Sequence, residues 1–337
     1  MIDDHAAPLA VSMGEPAGIG PDLILRLFSE RKGGEVPPFI VYGNAQFLRE
    51  RASRLGLSIE IVGARPGAAG VIFPHALPVC DVEGDVPDTP GEPQAGSASV
   101  VIEAIAAAVA DTRAGACRAV VTAPIHKAAL YGAGFSHPGH TEYLAALCAT
   151  DGVTPLPLMM LAHEDLRVVP ATIHVPLHEV PKLITTELLI ETGRILSRDL
   201  AHRFDIAVPR IAFAGLNPHA GEAGTIGLED RDIIAPAVAA LEEEGIAVQG
   251  PFPADTLFYP PHWRQHDAIV AMYHDQALIP IKTVAFDSAV NVTLGLPIVR
   301  TSPDHGTAFD LAGTGRGSAA SFRAALKLAD RMAEAGR

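Results

Sequence analysis

The sequence predicts an α/β protein built around a largely parallel sheet, and three observations carry that prediction. Short β-branched runs alternate with helical segments through the first half of the chain. Hydrophobic residues make up 48% of the chain and charged ones 19%, the balance of a globular protein and neither a disordered nor a fibrous one. A length of 337 residues is enough for about two domains and a core that needs no disulfides or structural metal.

The elements follow in order. A strand at 9–12 leads to a helix at 21–31 that opens with Pro21, and a strand at 39–42 leads to a helix at 45–55. Residues 79–96 are rich in Pro, Gly and acid and read as a surface loop, after which Ser97 caps a long helix that stops before Gly115. The chain returns to the sheet at 119–122. Apolar runs at 158–162 and 166–174 are joined only by His163, Glu164 and Asp165, which predicts an antiparallel hairpin and marks a candidate domain change. Helices at 185–203 and 228–244 interleave with strands at 210–214 and 268–272, and 318–335 is a closing amphipathic helix.

A formal net charge of −14 argues against a nucleic-acid groove or an anionic membrane surface, since both need concentrated Lys and Arg. Any anionic substrate must therefore meet a local cationic pocket. The N-terminus, Met1 to His5, is acidic where a secretory signal is basic, and no uninterrupted apolar run approaches a membrane span, so the expected location is the cytoplasm. Cys80, Cys117 and Cys148 are odd in number, form no Cys-x-x-Cys pair, and read as small buried hydrophobes.

Three histidines sit in backbone-heavy, oxygen-rich settings: His174 in Ala-Thr-Ile-His-Val-Pro, His219 in Asn-Pro-His-Ala-Gly-Glu and His274 in Met-Tyr-His-Asp-Gln. Three neutral imidazoles with an open fourth position make a catalytic metal site. A single histidine at the end of an apolar strand is ordinarily a packing residue, and separations of about fifty residues carry no helical zinc spacing.

The segment Gly14-Glu15-Pro16-Ala17-Gly18-Ile19-Gly20-Pro21-Asp22 follows a strand and opens a helix. It is neither a dinucleotide fingerprint nor a P-loop, and a tight structural turn suits it as well as a ligand contact. Gly139-His140-Thr141-Glu142 places a flexible glycine beside an imidazole and a hydroxyl just before a helix, a setting for phosphate or carboxylate, with Thr141 as a plain helix cap the alternative. Nearby His137 is given no role. Lys282, Asn291 and Arg300 stand among apolar, strand-like residues, where a buried cation calls for an anion; a snorkelling surface side chain is the alternative for either cation. His305 to Gly313 is polar and glycine-containing, with backbone groups open to a nucleotide, a weak signal by itself.

Together these blocks, with Thr-Ala-Pro-Ile-His-Lys at 122, Leu-Asn-Pro-His-Ala-Gly-Glu at 216, Tyr-His-Asp-Gln at 273 and Val-Asn-Val-Thr-Leu-Gly-Leu-Pro at 290, resemble the PdxA family of 4-hydroxythreonine-4-phosphate dehydrogenases in pyridoxal phosphate (vitamin B6) biosynthesis. The match runs over nearly the whole chain. It implies a two-domain isocitrate/isopropylmalate dehydrogenase-like fold with an interdomain cleft. Residues 1–135 with 290–337 would form one α/β domain, and 136–289 a central α/β domain carrying the metal ligands and the dimer interface.

The resemblance implies that His174, His219 and His274 bind a divalent metal, with zinc, magnesium and cobalt all open. His140, Thr141, Lys282, Asn291 and Arg300 would hold the substrate. His305, Gly306, Thr307, Asp310 and Gly313 fall in the segment that looks like the superfamily's NAD loop; NADP is the alternative cofactor. Lys282 and Asp255 are the candidates for proton transfer. The implied partner is a small phosphorylated substrate, with no nucleic acid and no membrane, and the implied assembly is a homodimer whose active site is shared across the interface. The implied reaction oxidises the C3 hydroxyl of 4-phosphooxy-L-threonine with NAD and then releases CO2, giving 3-amino-2-oxopropyl phosphate. The rival within the family acts on 4-phospho-threonate or erythronate, or on an aromatic cis-dihydrodiol.

Overall fold

The computed structural model describes residues 7–34, 36–137 and 139–336; the acidic N-terminal residues 1–5 lie outside them. Twelve strands can be followed among the described residues: β1 (Leu9–Ser12), β2 (Phe39–Gly43), β3 (Ile61–Gly63), β4 (Leu77–Asp81), β5 (Val120–Thr122), β6 (Leu158–His163), β7 (Leu166–Pro170), β8 (Ile211–Ala214), β9 (Val248–Phe252), β10 (Ala268–Ala271), β11 (Val290–Leu294) and β12 (Arg300–Pro303). The α/β class is the one the alternating runs predict.

The chain divides into two compact units, a terminal one of Met1–Pro157 with Leu296–Glu334 and a central one of Leu158–Gly295 with Ala335–Arg337. These breaks differ from the expected 135/136 and 289/290, for a packing reason. The helix His140–Leu147 is tied to the terminal unit: Tyr143 donates its hydroxyl to the Ile102 carbonyl at 3.3 Å and Arg113 donates to the Leu147 carbonyl at 2.8 Å. At the other break, β11 pairs antiparallel with β6, with Asn291 opposite Leu161, so 290–295 stays with the central unit.

In the terminal unit the strand order is β3-β4-β2-β1-β5-β12, and every pairing is parallel. Val11 in β1 faces Val41 on one side and Val121 on the other. All four residues of β1 and all five of β2 are buried, as strands covered on both faces require. After β1 the chain adds β2, β4 and β3 on one side and then crosses to place β5 on the other, so the topological switch falls between β1 and β5. In open α/β sheets ligands bind outside the carboxyl ends of strands at such a point.

The helix Ala98–Arg113 corrects two expectations. Ser97 precedes it in helical backbone without a side-chain capping bond. The stretch Ala95–Arg113 has the length and composition of a membrane span, contrary to the reading that no apolar run does. Val100, Val101, Ala104, Ile105, Ala108 and Val109 are nevertheless packed in the unit's interior, which makes it a core helix. Cys117 and Cys148 are buried and Cys80 half-buried, all three unbridged; burial pushes the Cys117 thiol up to about 12, which keeps it inert.

The central unit is mixed. The predicted hairpin is present, β6 against β7, with Glu164 in left-handed backbone at its turn. Then β10 inserts between β7 and β8 in parallel, Ile269 facing Val168 and Ala212, and β9 follows β8. Leu161, Val168, Ala212, Trp263, Ile269, Ala277 and Ile281 form the core beneath. The strand predicted to reach His174 stops at Pro170, which frees the last four residues to form a loop. The helix predicted at 228–244 begins as one wide turn, Asp230–Ile234, before Ala235–Glu243 becomes regular.

Candidate active site

In the terminal unit the candidate side chains lie on and after β5 and β12. Arg300 starts β12 and is 3% exposed. Its Nε and Nη2 donate to Thr122 Oγ1 at 3.2 and 2.6 Å, and burial draws its pKa down to about 10, leaving it cationic at neutral pH. His140 opens the helix His140–Leu147, whose N-cap is Gly139 without a side-chain bond, so Thr141 is not the cap. Burial, then Arg300 and Lys127, hold the His140 imidazole far below the ordinary histidine value, in the neutral form. A Cβ on Gly139 would stand 2.6 Å from Glu142 Oε2 and 3.3 Å from Lys127 Nζ, so this glycine makes room for a charged pair. Pro138, before it, lies outside the described residues.

The segment His305 to Gly313 is anchored to the loop at 14–22, which decides between the two readings of that motif. Ile19 N–H donates to the Thr307 carbonyl at 2.8 Å and Gly313 N–H donates to Asp22 Oδ2 at 2.7 Å. Asp22 is itself paired with fully buried Arg51 at 2.6 Å, and Arg51 also donates to Asp88 at 2.6 Å and to the Pro16 carbonyl at 2.7 Å. The glycine-rich motif is thus a structural brace for the candidate cofactor segment. Gly306 and Asp310 are exposed, and His305, Thr307 and Gly313 are half-buried.

Sequence reasoning gave no role to two residues here. Glu15 is 3% exposed, and burial raises its pKa against the Ala17 amide and His126, which lower it. His126 packs edge-on to Phe309 at 5.1 Å. Their signal was the pair of motifs Gly-Glu-Pro and Thr-Ala-Pro-Ile-His-Lys after successive neighbouring strands. Ser12 Oγ, His126 Nδ1, His140 Nε2 and His305 Nε2 are buried without a hydrogen-bond partner among the described residues. An orphaned buried polar atom costs about 1–3 kcal/mol, a cost that a polar ligand reaching these atoms would relieve.

In the central unit the three candidate metal ligands follow three adjacent parallel strands, β7, β10 and β8, each three to five residues beyond the strand end. His174 and His274 are ring neighbours with centroids 5.6 Å apart. The His274 Nδ1 is 2.7 Å from Asp275 Oδ1; with the proton on Nδ1, Nε2 carries the lone pair a metal takes, the usual carboxylate–histidine arrangement. The expected closure of all three is not met: among the described residues no group of three or more His, Cys, Asp or Glu stands ready to hold an ion. His219 is exposed on a turn where residues 219–223 all have positive φ, from 41° to 74°. Left-handed backbone costs an L-residue about 1–2 kcal/mol, and four of the five are not glycine. The donor set suits a divalent ion in chemistry and strand placement, with two of its three rings together.

The remaining candidates are spread through the same unit. Lys282 lies on the helix His274–Ala285, eight residues past His274, and its Nζ sits 5.7 Å from the Phe286 ring centroid. Asp255 is exposed in the first turn of Ala254–Leu257. Asn291 on β11 is half-buried, and its Oδ1 is buried without a partner among the described residues.

The model of the pyridoxal phosphate biosynthetic protein PdxA matches residues 35–329. The chain belongs to the PdxA family. Among PdxA relatives, the 4-hydroxythreonine-4-phosphate dehydrogenase of Methylorubrum populi is 54% identical over 330 residues, 97% of this chain and 95% of that one. The crystal structure of 4-hydroxythreonine-4-phosphate dehydrogenase from Klebsiella pneumoniae is 38% identical, covers 97% of this chain and 99% of its own, and superposes with a TM-score of 0.86. A terephthalate 1,2-cis-dihydrodiol dehydrogenase from Burkholderia xenovorans has the same PdxA-like fold at 28% identity, covering 96% and 98%, with a TM-score of 0.65.

Proposed function

We propose that this PdxA-family chain is a cytoplasmic, NAD-linked oxidoreductase that converts 4-phosphooxy-L-threonine to 3-amino-2-oxopropyl phosphate. Hydride leaves C3 for the nicotinamide while the hydroxyl proton is released; the resulting β-keto acid loses CO2 and takes up a proton at C2. The observation that carries the reading is Arg300, a guanidinium 3% exposed yet cationic, whose charge lowers the His140 pKa alongside that of Lys127. Such a setting favours an anionic substrate, and a phosphate offers more acceptor oxygens to a guanidinium than a carboxylate does.

The roles follow from chemistry. His140, Thr141, Asn291, Lys282 and Arg300 bind and orient the substrate, and the segment with His305, Gly306, Thr307, Asp310 and Gly313 binds NAD, with NADP the weaker choice. Neutral His140 accepts or donates one hydrogen bond without adding charge. His174, His219 and His274 hold a divalent ion, zinc, magnesium or cobalt. When bound, that ion supplies positive charge that acidifies an alcohol beside it. Lys282 and Asp255 are the groups for proton movement. A homodimer sharing its active site is supported by Ile279, Val284 and Phe286, exposed at 64%, 53% and 73% beside Lys282.

The relationship to the dihydrodiol enzyme favours a second reading, oxidation of an aromatic cis-dihydrodiol. NADH formation measured with 4-phosphooxy-L-threonine, 4-phospho-threonate, 4-phospho-erythronate and a terephthalate cis-dihydrodiol separates them. Turnover of the first is expected to exceed the others; equal turnover of a substrate without phosphate overturns the proposal.

A further inference from the structure

We infer that Thr172, Gln276 and Asp230 form a chain of hydrogen bonds that sets the three histidine-bearing loops against one another, making them positioning residues for the metal site. The inference rests on the histidine reading above. Thr172 and Gln276 each lie two residues from a ligand, and Asp230 reaches the loop that leads to His219. Thr172, two before His174, is 6% exposed and donates its hydroxyl to the carbonyl of Met272, two before His274, at 2.8 Å. Gln276, two after His274, accepts from the Met272 N–H at 2.7 Å and donates from Nε2 to the Gly215 carbonyl at 2.8 Å. That bond carries the connection to the loop of His219.

Asp230 finishes it. Only 2% exposed, it accepts from the N–H groups of Leu216 and Asn217 at 2.8 and 3.2 Å and from Asn217 Nδ2 at 2.8 Å. The backbone crowds this carboxylate: a Cβ on Gly215 would lie 2.7 Å from Oδ1 and one on Gly221 3.1 Å from Oδ2. Asp230 therefore holds the entry to the left-handed turn that carries His219 and packs closely against Gly221 at its centre. Nothing in the local sequence favours positive φ at Ala220, Glu222 or Ala223, so the turn persists because these contacts determine it, the pattern of backbone strain held at a functional site. Partners outside the ligand set orient the ligands, and their loss typically lowers metal affinity about 10- to 100-fold.

The test is titration of the full-length protein with cobalt(II) alone, reading affinity and the visible absorption band that reports coordination geometry. Thr172→Val, Gln276→Met and Asp230→Asn are expected to weaken cobalt binding about 10- to 100-fold and alter the band, while Thr172→Ser, which keeps the hydroxyl, retains the wild-type values. His219→Ala is the reference. Wild-type affinity and band in Thr172→Val and Gln276→Met, with loss in His219→Ala, overturns the positioning role. Wild-type binding in His219→Ala overturns the histidine reading and the inference with it. Should a variant fail to fold, Thr172→Val against Thr172→Ser decides, since valine and threonine match in size.

Discussion

Asp22 and Gly313, far apart in the chain, are joined by a 2.7 Å hydrogen bond from a backbone amide to a carboxylate that also neutralises fully buried Arg51. One side chain thus couples the stability of the terminal unit to the shape of the candidate cofactor segment. Gly313 holds left-handed backbone at φ +72°, and a Cβ there would stand 2.6 Å from Pro90, so the amide is delivered to Asp22 by a geometry that needs glycine.

Asp22→Ala is therefore expected to act twice. Removing one partner of a buried ion pair costs about 3–5 kcal/mol, and the loss should fall at the lower end because Asp88 and the Pro16 carbonyl still hold Arg51. The released segment should raise the KM for NAD while leaving that for the phosphorylated substrate close to wild type. Denaturant unfolding and initial-rate kinetics check the two effects; an unchanged KM for NAD refutes the coupling.

His140 predicts a pH dependence. Its folded pKa lies below the ordinary 6.5, because burial, Arg300 and Lys127 all disfavour the imidazolium. As pH falls below that value the unfolded chain binds a proton the folded chain refuses. Stability is complete above pH 6.5 and is lost as pH falls toward the folded value, by at most about 1.4 kcal/mol per pH unit from this one group. His140→Gln should flatten that part of the curve when unfolding is followed from about pH 7.5 to 5.5. A variant with the same acid slope as the parent rules His140 out as its source.

Much of the fold was readable where chemistry is local. The strands β1 and β2 are largely apolar runs, Thr185 caps its helix by accepting from Leu188 N–H at 3.1 Å, and the hairpin of β6 and β7 follows from two apolar runs with only Glu164 and Asp165 between the strands. The short β3, Ile61–Gly63, and the helix Pro66–Ile72 carry too few side chains to show a period. The helix His274–Ala285 contains Pro280, a residue that argues against helix in sequence. The candidate site residues were visible as motifs, but their grouping was not. His174 and His274 meet only because β10 inserts beside β7, and the residues leading into the turn at His219 are held by Asp230, a contact with no local signature.

Gly139→Ala tests the proposed anion site without replacing a charged residue. The new methyl meets Glu142 Oε2 at 2.6 Å and Lys127 Nζ at 3.3 Å, both flexible side-chain ends, so the stability cost should be about 1 kcal/mol, the low end for overpacking. Displacing Lys127 should raise the KM for the phosphorylated substrate several-fold with little change in kcat. An unaltered KM removes Lys127 from the site.

Arg300→Lys gives the sharpest test of the phosphate reading. Lysine keeps the charge but loses the planar fork whose Nε and Nη2 both reach Thr122 Oγ1. The kcat/KM should fall about 10- to 100-fold, or about 1.4–2.8 kcal/mol, mostly through KM. The same burial that draws Arg300 down to about 10 would also lower a lysine there, which starts from a lower ordinary value than arginine. The variant should then lose substrate affinity at a lower pH than the parent as pH rises above neutrality. KM measured across that range in both proteins decides: a new alkaline limb in the lysine variant alone marks a buried cation that must be protonated to bind, and parallel profiles would place the phosphate elsewhere.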